Sequence, residues 1–421
     1  MNRLNRRLAN TLTASFDELM KDREALAVRN KTLADAIHQK PLRHRIRRLL
    51  LNFLATTYIP PSRTADQTDR ILLIRPDHLG DVLLTTPAIQ AIREAYPNTE
   101  IHALVGPWSA GVLENVDLLD LVLTVQFPGF TRGKNKNWRS PYRYAIQTAR
   151  RLRRIGYRRA VIFRPDHWWG AWLARMTGIP ERIGYNNPDT ELFLTHVIEH
   201  QHEHATKQSL RLASALIGAD IVDQDAAYKL PINAIDEAFV SGYLGEWGLD
   251  PQTELFCIHP GSGSPIKQWD TEKWAQTADI LTEQLDAQVV FTGSDSELAM
   301  IREINSQMNQ NATIMAGDTT VGQLAALYAR AQVVLGPDSG PLHVAAAVGT
   351  PSVTLFGPAD PVEFGPWGDT QKHVILTTDI ACRPCRVLDW RHDDAKYHPC
   401  VREIGVSQVL HAARLAASTQ P

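Results

Sequence analysis

The sequence predicts an α/β protein in which two halves, each built on a parallel sheet, face a central cleft behind a basic, helical N-terminal extension. Short apolar runs alternate with helix-like stretches in two successive series, which is typical of parallel strands with helices on both faces. The 421 residues suggest two or three domains at about 150 residues each. With 44% apolar and 21% charged residues, the composition is that of a globular rather than a disordered protein.

The first element is the extension, residues 1–64, which carries 13 Lys and Arg against 5 Asp and Glu, a balance of +8 that leaves −10 for the remainder. Apolar residues between Phe16 and Ile37 recur at helical spacings and predict one or two amphipathic helices, which Pro41 ends. Residues 40–58 then join a basic turn to an apolar one. This segment suits an anionic membrane surface, or packing on the protein's own body or on a second subunit, and both interpretations remain open.

The composition also excludes several classes of protein. The acidic remainder and the absence of a nucleic-acid-binding motif argue against nucleic acid as a partner. No apolar run approaches the ~18 residues of a membrane span, and the first residues do not resemble a secretory signal. We therefore expect a cytoplasmic protein, peripheral at the inner face of the cytoplasmic membrane if the extension binds lipid. Four cysteines do not predict a disulfide scaffold.

The two series of strands follow the extension. The first half has apolar runs at 71–74, 101–105, 121–125 and 160–163, and the second half has them at 255–258, 289–292, 333–335, 353–356 and 374–376. The expected divisions are an extension over 1–64, a first half over 68–235, a second half over 245–405 and a last helix over 406–421. Ligands of such sheets bind beyond the carboxyl ends of the strands, so the residues at those ends are candidates for the site.

The turn after the first strand contains Asp81. Gly80 allows a tight turn, and Asp81 is expected at the N-terminus of a helix that continues to about residue 94, facing the cleft. An aspartate there can act as an N-cap, or as a general base that accepts the proton of a substrate hydroxyl. Position alone leaves both roles open.

The loop that opens the second half contains Gly261, Ser262, Gly263 and Ser264, followed by Lys267. Small residues let backbone N–H groups approach an anion, and Lys267 adds a positive charge, so the loop suits a phosphate. A flexible turn is the alternative. The residues match neither a P-loop nor the dinucleotide pattern, because position 266 is Ile.

The third candidate segment runs from Asp338 to His343. Ser339 and Gly340 precede Pro341, which is well placed to begin a helix, so the N–H groups from Ser339 to Leu342 are expected to form an anion site. Asp338 is expected to bond sugar hydroxyls. His343 is either a capping or packing residue or a donor to a leaving phosphate. Two anion sites in one half suggest a ligand with two phosphates.

These segments together resemble glycosyltransferase family 9, the heptosyltransferases of lipopolysaccharide core assembly. The resemblance covers about residues 70 to 410 and rests on four strings in family order: RPDHLGDVLLTTPAIQAI, TGIPERIGY, HPGSGSPIKQWDTEKWAQ and DSGPLHVAAAVGTPSVTLFGPADPVEFGP. It implies a GT-B fold of two Rossmann-like domains, the first for the acceptor and the second for the nucleotide sugar, with a last helix, about Ser407–Ala417, returning toward the first domain.

The resemblance also implies the reaction and its residues. The expected activity is inverting transfer of a heptose or similar sugar from an ADP-heptose-like donor to a hydroxyl of a lipopolysaccharide-core, other glycan or lipid-linked acceptor, with no cofactor required for catalysis. Asp81 matches the family's proposed general base, and His343 belongs with it as a catalytic residue. The expected donor-binding residues are Gly261, Ser262, Gly263, Lys267, Asp338, Ser339, Gly340, Pro341 and Leu342. The expected acceptor-binding residues are Gly80, Thr85, Thr86 and Arg164.

Some of these assignments have structural alternatives. Thr85 and Thr86 fall in a helix interior, and Arg164, like Arg182, either pairs with an anionic acceptor or braces the sheet of the first half. A different GT-B enzyme, such as another transferase or a nucleotide-sugar 2-epimerase, would share the phosphate-binding half. A noncatalytic nucleotide-sugar-binding scaffold tethered by residues 1–64 is the alternative outside the enzymes.

A cysteine cluster departs from the soluble family pattern. Cys382, Cys385 and Cys400 with His398 have a spacing that suits a structural zinc or iron ion. Cysteine-rich segments at a similar place occur in relatives of the family, including protein heptosyltransferases that hold iron. Reduced thiols in a loop are the alternative.

Overall fold

The computed structural model describes residues 23–38, 42–62, 69–130, 140–222, 227–228, 230–249, 253–285, 287–388, 390, 395 and 397–419. The part of the expected first helix that includes Phe16 lies outside the described residues. The two strand series predicted from the sequence form two separate sheets of six parallel strands each.

The first sheet occupies the first half of the chain. Its strands are β1 (Arg70–Arg75), β2 (Glu100–Val105), β3 (Leu121–Thr124), β4 (Arg159–Ile162), β5 (Glu181–Tyr185) and β6 (His196–Ile198). They lie in the order β3-β2-β1-β4-β5-β6. The apolar run 71–74 forms the centre of β1, which is buried on both faces between β2 and β4.

The second sheet repeats this arrangement. Its strands are β7 (Leu255–Ile258), β8 (Gln288–Gly293), β9 (Thr313–Ala316), β10 (Val333–Pro337), β11 (Ser352–Leu355) and β12 (His373–Leu376). The order β12-β11-β10-β7-β8-β9 is that of the first sheet, viewed from the opposite edge. Both sheets thus have the strand order of a doubly wound nucleotide-binding fold.

Helices cover both sheets and supply the extension. In the described part of the chain these helices are α1 (Arg23–His38), α2 (Leu42–Thr56), α3 (Leu79–Leu83), α4 (Thr86–Ala95), α5 (Ser140–Leu152), α6 (Trp168–Thr177), α7 (Ala205–Ile217), α8 (Ala234–Glu246), α9 (Thr271–Leu285), α10 (Leu298–Ser306), α11 (Val321–Arg330), α12 (Gly340–Ala347), α13 (Pro361–Phe364), α14 (Pro399–Arg402) and α15 (Val406–Ala417). The predicted helix after Asp81 is divided in two, α3 and α4, at Leu84 and Thr85.

Packing contacts show where the boundary between the two halves falls. They also show on which half the last helix lies. Helix α8 lies in the expected boundary region and packs against α11, so it belongs with the second half. Helix α15 packs against α9 and the second sheet through a face of small and branched residues, Val409, Ala412, Ala413 and Ala416. We expected this helix to return toward the first half, but these contacts hold it on the second.

The N-terminal extension, not the last helix, connects the two halves. Helix α1 lies on the second half: Ala27 joins its core, and the buried Asn30 side chain donates a 2.9 Å hydrogen bond to the carbonyl of Tyr397. Helix α2 lies on the first half, where Leu51 is fully buried and Arg47 pairs with Asp189. Each helix therefore buries one face on a different half, which supports the interpretation that the extension packs on the protein's own body.

The outer face of α2 remains apolar. Leu49 and Phe53, one helical turn apart, are 70% and 67% exposed, and Tyr58 just beyond the helix is 83% exposed. Side chains four residues apart share a helix face, so Leu49 and Phe53 form one exposed ridge. Packing on the body and contact with a membrane are thus compatible, because they use opposite faces of this helix.

Candidate active site

The predicted site residues follow four particular strands. Each sheet reverses its strand order at its centre, between β1 and β4 in the first half and between β7 and β10 in the second. Such switch points open a crevice at the carboxyl ends of the strands. Asp81 follows β1, Arg164 follows β4, Lys267 follows β7 and Asp338 follows β10. The fold thus places the predicted catalytic, donor-binding and acceptor-binding groups at the two switch points.

Asp81 is the third residue of the short helix α3. The residue before the helix is His78, whose side chain makes no capping hydrogen bond, so Asp81 is not the N-cap that one interpretation expected. Its carboxylate is 28% exposed, and Oδ1 lies 3.6 Å from Nη2 of Arg75. Burial and the neighbouring charge of Asp77 raise the pKa of Asp81 to about 6, against the lowering effect of Arg75. The carboxylate is therefore mostly ionised at pH 7 and able to accept a proton.

Helix α3 packs directly against α12 of the second half. A Cβ atom at Gly80 would lie 2.6 Å from Cδ2 of His343, and a Cβ at Gly340 would lie 3.1 Å from a methyl group of Leu79. Real Cβ atoms do not approach so closely to the His343 ring, so Gly80 is required for this contact. Gly80 thus has a packing role, and the contact brings the helix that carries Asp81 against the expected donor-binding helix.

The start of α12 contains fewer free donors than expected. Pro341 has no N–H, and the N–H of Leu342 donates to the Ser339 carbonyl at 3.2 Å. The N–H groups of Ser339 and Gly340 have no acceptor among the described residues. The anion site predicted from Ser339 to Leu342 is thus reduced to two amides.

Lys267 reaches this helix start from β7. Its ammonium lies 2.6 Å from the carboxylate of Asp338 and 3.3 Å from the Asp338 carbonyl oxygen. The loop before it is tied down: Ser262 donates to the Ser264 carbonyl, and Ser264 donates to the carbonyl of Leu388. The flexible-turn alternative does not describe this loop. Lys267 and Asp338, distant in sequence, form one charged pair beside the α12 amides.

Gly261, Gly263 and His343 are three further residues that the sequence predicts for the donor site. A Cβ atom at Gly261 would lie 2.0 Å from Oε1 of Glu297, at the flexible end of that side chain, whereas Gly263 is exposed. Burial lowers the pKa of His343 to about 4, and its Nδ1 has no hydrogen-bond partner among the described residues. At pH 7 the ring is neutral, so it can donate one hydrogen bond to a phosphate but does not carry a positive charge.

The expected acceptor residues Thr85 and Thr86 have structural roles in this conformation. Both are buried, and their hydroxyls donate to the backbone carbonyls of Asp81 and Leu83 at 2.9 and 2.8 Å. Neither hydroxyl is therefore presented to a ligand. Arg182 lies at the amino end of β5, away from the carboxyl ends of the strands, which favours its bracing alternative.

Arg164 lies at the cleft and belongs to a charge network that the sequence analysis missed. Asp77 is buried between Arg75, 3.1 Å from its Oδ2, and Arg164, which also pairs with Asp166 at 2.6 Å. Burial alone would raise the pKa of Asp77, but the two guanidinium charges lower it. Asp77 thereby holds Arg75 beside Asp81, and Arg164 is not free to bind an anion by itself.

A sequence signal for this network exists. The tetrapeptide Arg-Pro-Asp-His occurs at 75–78 and again at 164–167. The two copies follow β1 and β4, which are hydrogen-bonded neighbours, so the repeats stand side by side at the switch point of the first sheet. The duplicated motif, together with the expectation of adjacent strands, would have predicted the pairing.

Three aromatic side chains from the segments that follow β1, β2 and β3, namely His78, Trp108 and Phe130, form a surface that we call the aromatic wall. The rings of Trp108 and Phe130 are nearly parallel, with centroids 6.2 Å apart, and the His78 ring lies 5.9 and 6.0 Å from them. The Trp108 indole donates a 2.9 Å hydrogen bond to the Asp77 carbonyl, and a Cβ at Gly106 would overlap its ring. The aromatic wall is partly exposed, and the hydrogen bond of Trp108 fixes its orientation. Such a surface can pack against the apolar face of a ligand.

The expected metal-binding cluster is not assembled. Among the described residues, no three of the ligand atoms of Cys382, Cys385, Cys400 and His398 lie within 4.8 Å of one another. Burial and the neighbouring cysteine thiols raise the pKa of Cys400 to about 12 and also raise the pKa of Cys382, so both side chains are protonated thiols at neutral pH when no metal is bound. The residues in this conformation do not fit a metal ion, and a structural zinc or iron remains a prediction that metal analysis of the purified protein would test.

A different group meets the distance criterion for a metal site. His202, Asp360 and Glu363 have ligand atoms within 4.8 Å of one another. Arg386 already pairs with Asp360 at 2.6 Å and with Glu363 at 2.9 Å. The group is thus a charge network between the halves, in which an arginine neutralises the acids.

The comparison with family models decides the classification. The model of glycosyltransferase family 9 (heptosyltransferase) matches residues 145–394, more than half of the chain. The chain belongs to this family. It is therefore a glycosyltransferase, as the four strings and the cleft both indicated.

Two solved structures and one curated relative resemble this glycosyltransferase along most of its length. A family 9 glycosyltransferase from Veillonella parvula has a TM-score of 0.71 at 23% identity, covering 84% of this chain and 98% of that one. The Escherichia coli ADP-heptose lipopolysaccharide heptosyltransferase II has a TM-score of 0.66 at 20% identity, with coverages of 83% and 98%. Lipopolysaccharide heptosyltransferase 3 of Escherichia coli K12 is 28% identical over 303 residues, 68% of this chain and 82% of that protein. The two-domain GT-B fold expected from the sequence is confirmed.

Of the helices in the described part of this family 9 enzyme, none combines the length and the apolar character that a membrane span requires.

Proposed function

We propose that this family 9 glycosyltransferase transfers a heptose, or a similar sugar, from an ADP-activated donor to a hydroxyl of a lipopolysaccharide-core glycan. One observation carries the proposal: the contact between Gly80 and His343 sets the helix bearing Asp81 against the start of α12. A base and an anion site on opposite walls of one cleft are what a displacement at a sugar carbon requires. The names of the relatives, which are lipopolysaccharide heptosyltransferases, support the choice of sugar and acceptor.

On the donor side, we assign the diphosphate to the second half. The amides of Ser339 and Gly340 and the ammonium of Lys267 provide hydrogen bonds and positive charge for it. His343 contributes a neutral ring N–H, consistent with its low pKa. Asp338 has no place beside a bare phosphate, because the two would repel. We assign it to the hydroxyls of the donor sugar and to holding Lys267.

On the acceptor side, we assign the attacking hydroxyl to Asp81 and the sugar ring to the aromatic wall. Sugar rings have apolar C–H faces that pack on aromatic side chains, while their hydroxyls bond nearby polar groups. Trp108 is fixed by its bond to the Asp77 carbonyl, four residues before Asp81 in sequence. This proximity links recognition of the acceptor to placement of its hydroxyl.

The proposed chemical step is a single displacement. The acceptor oxygen forms a bond to the anomeric carbon as the bond from that carbon to the phosphate oxygen breaks, and the bonding electron pair leaves with ADP. Asp81 takes the hydroxyl proton, and Lys267 with the two α12 amides stabilises the charge that grows on the leaving group. Attack from the face opposite the diphosphate inverts the anomeric configuration. No group outside donor, acceptor and protein is needed to balance the step.

We also propose that the enzyme works in the cytoplasm at the inner face of the membrane, held there through residues 40–58. The exposed ridge of Leu49 and Phe53 and the exposed Tyr58 ring support this location. A surface of this kind, next to a basic segment, is typical of helices that lie in the membrane interface. Substrates that carry a lipid would then be reached without leaving the membrane.

A donor panel with product analysis tests the proposed reaction. Purified enzyme is incubated with heptose-containing core acceptors and either ADP-heptose, ADP-glucose or UDP-glucose, and products are analysed by mass spectrometry and by NMR of the new anomeric carbon. We expect turnover with ADP-heptose and an inverted linkage. Preference for a UDP-sugar would contradict the donor assignment, and an epimerised donor without transfer would indicate a 2-epimerase. Donor binding with no turnover on any acceptor would indicate a scaffold.

A further inference from the structure

A cavity of about 290 Å³ lies on the side of the first half away from the cleft. The cavity lies between the segment that follows α2 and the segment that joins the end of α6 to the start of β5. We call it the arginine pocket. Its lining residues are Thr56, Thr57, Tyr58, Ile59, Pro61, Arg175, Gly178, Ile179, Pro180 and Arg182. None of them is acidic, and two are arginines.

Among the described residues, the two arginines have only backbone carbonyls as hydrogen-bond partners. Nη2 of Arg175 donates to the carbonyls of Ala55 and Thr57 at 2.7 and 2.8 Å. Arg182 is only 9% exposed, and its Nε donates to the carbonyl of Phe193 at 2.6 Å. No described carboxylate forms an ion pair with either guanidinium. Two positive charges therefore share one partly enclosed space without a counter-ion among the described residues.

Two guanidinium charges without a described counter-ion are unusual in a partly buried site. Buried cations are normally paired, because removal from water penalises the charged form. Burial and then the charge of Arg175 lower the pKa of Arg182 to about 10. A third guanidinium, Arg153, donates to the Pro60 carbonyl at 2.7 Å and adds positive charge to the same segment.

Bracing the backbone does not account for all of these groups. The carbonyl contacts of Arg175 use Nη2, while its Nε is buried with no hydrogen-bond partner among the described residues. A donor that is buried and unused costs free energy unless a ligand or water satisfies it. An anion in the pocket would supply the counter-charge that both arginines lack among the described residues.

We propose that the arginine pocket binds a phosphate group, and that this phosphate belongs to a phospholipid headgroup. Guanidinium groups bind phosphate through short, charge-assisted hydrogen bonds. The lipid source follows from the position of the pocket, because Tyr58 both lines it and is 83% exposed, and because Tyr58 follows the helix whose exposed apolar ridge contains Leu49 and Phe53. A lipid whose headgroup lies in the pocket would have its acyl chains beside this ridge. The inference rests on the membrane location proposed above and not on the proposed transfer reaction.

Vesicle flotation with the full-length enzyme tests the proposal. The vesicles are phosphatidylcholine alone or an equal mixture of phosphatidylcholine and phosphatidylglycerol. We expect binding to the mixed vesicles, weakened about 10-fold or more in Arg175→Gln, since a lost hydrogen bond to a charged group has effects of this order. Arg302→Gln removes one charge from an exposed site on the second half and should change binding less than about 2-fold.

A second variant keeps the proposal testable if Arg175→Gln fails to fold. Tyr58→Glu places a carboxylate at the pocket mouth on a side chain that is mostly exposed, so the fold should be retained while binding to phosphatidylglycerol is lost. Transfer to a water-soluble acceptor should be unchanged in both pocket variants, which separates failure of this inference from failure of the proposed reaction. Equal vesicle binding by wild type, Arg175→Gln and Tyr58→Glu would overturn the proposal.

Measurements with soluble phosphates distinguish a lipid headgroup from free phosphate as the ligand. Thermal melting is measured with glycerol 1-phosphate and with inorganic phosphate for wild type and Arg175→Gln. Vesicle binding that depends on Arg175, with little stabilisation by either soluble phosphate, supports the lipid headgroup. Stabilisation by soluble phosphate that depends on Arg175, without binding to phosphatidylglycerol vesicles, would overturn the lipid assignment.

Discussion

Replacing Arg75 should shift the pH dependence of the transfer reaction through its effect on Asp81. Nη2 of Arg75 lies 3.6 Å from Oδ1 of Asp81 and lowers the pKa of that carboxyl, which burial and the Asp77 charge raise to about 6 overall. An opposite charge at such a distance typically lowers a carboxyl pKa by about 1–3 units. In Arg75→Gln the pKa of Asp81 should therefore rise from about 6 into the neutral or alkaline range.

The size of the effect on rate follows from the ionised fraction of the base. A carboxyl with a pKa of about 6 is roughly 90% ionised at pH 7. Because the Asp81 carboxylate is 28% exposed and solvent screens its pair with Arg75, we expect a rise of about one to two units, which leaves about 50% to 10% ionised. Loss of ionisation alone should lower kcat/KM at pH 7 by about 2-fold to 10-fold, and higher pH should restore it.

The assay is kcat/KM for transfer from about pH 5 to about pH 9, a range that brackets both pKa values. Wild type, Arg75→Gln and Arg75→Lys are compared. The acid limb of Arg75→Gln should move to higher pH, while that of Arg75→Lys, which retains the charge, should stay close to wild type. An acid limb that does not move in Arg75→Gln, with activity lowered equally at every pH, would refute the reasoning and leave Arg75 with a purely structural role.

Three further substitutions test contacts on which the account depends. Gly80→Ala should slow transfer and destabilise the fold by about 1–3 kcal/mol, because the added Cβ overlaps the His343 ring on α12. The control Gly245→Ala, in open space on α8, should not destabilise the fold. Thermal melting and turnover are measured for both variants. Lys267→Ala should weaken ADP binding by about 10-fold or more in calorimetry, and unchanged affinity would remove it from the phosphate site. Leu51→Ala should cost about 2–5 kcal/mol in denaturant unfolding, while Leu49→Ala on the same helix should cost less than about 0.5 kcal/mol and instead weaken vesicle binding; equal costs would contradict the orientation of α2.

Much of the fold was predictable because its signals are local. Apolar runs such as 71–74 and 255–258 form central strands, and the unusual residues at their carboxyl ends mark the cleft. The identity of Asp81 as a cleft residue followed from its place after such a strand. The sequence did not predict that Asp81 is the third residue of a short helix, because helix boundaries depend on tertiary packing that local sequence patterns do not show.

The remaining features depend on distances between residues far apart in sequence. Lys267 meets Asp338, and Asp77 meets Arg164, only because the strand order places their turns side by side. The spacing of Cys382 and Cys385 suited a metal but did not fix the position of a third ligand. Composition likewise predicted a basic helical extension, but not that its two helices pack on different halves.

The central claim is that Asp81 acts as the base opposite a donor held at the start of α12. The most direct test is turnover and ADP binding by Asp81→Asn, with Asp117→Asn, an exposed aspartate of the same half, as control. We predict at least about a 100-fold loss of turnover in Asp81→Asn, with ADP affinity and the activity of the control unchanged. Turnover by Asp81→Asn close to that of wild type would contradict it.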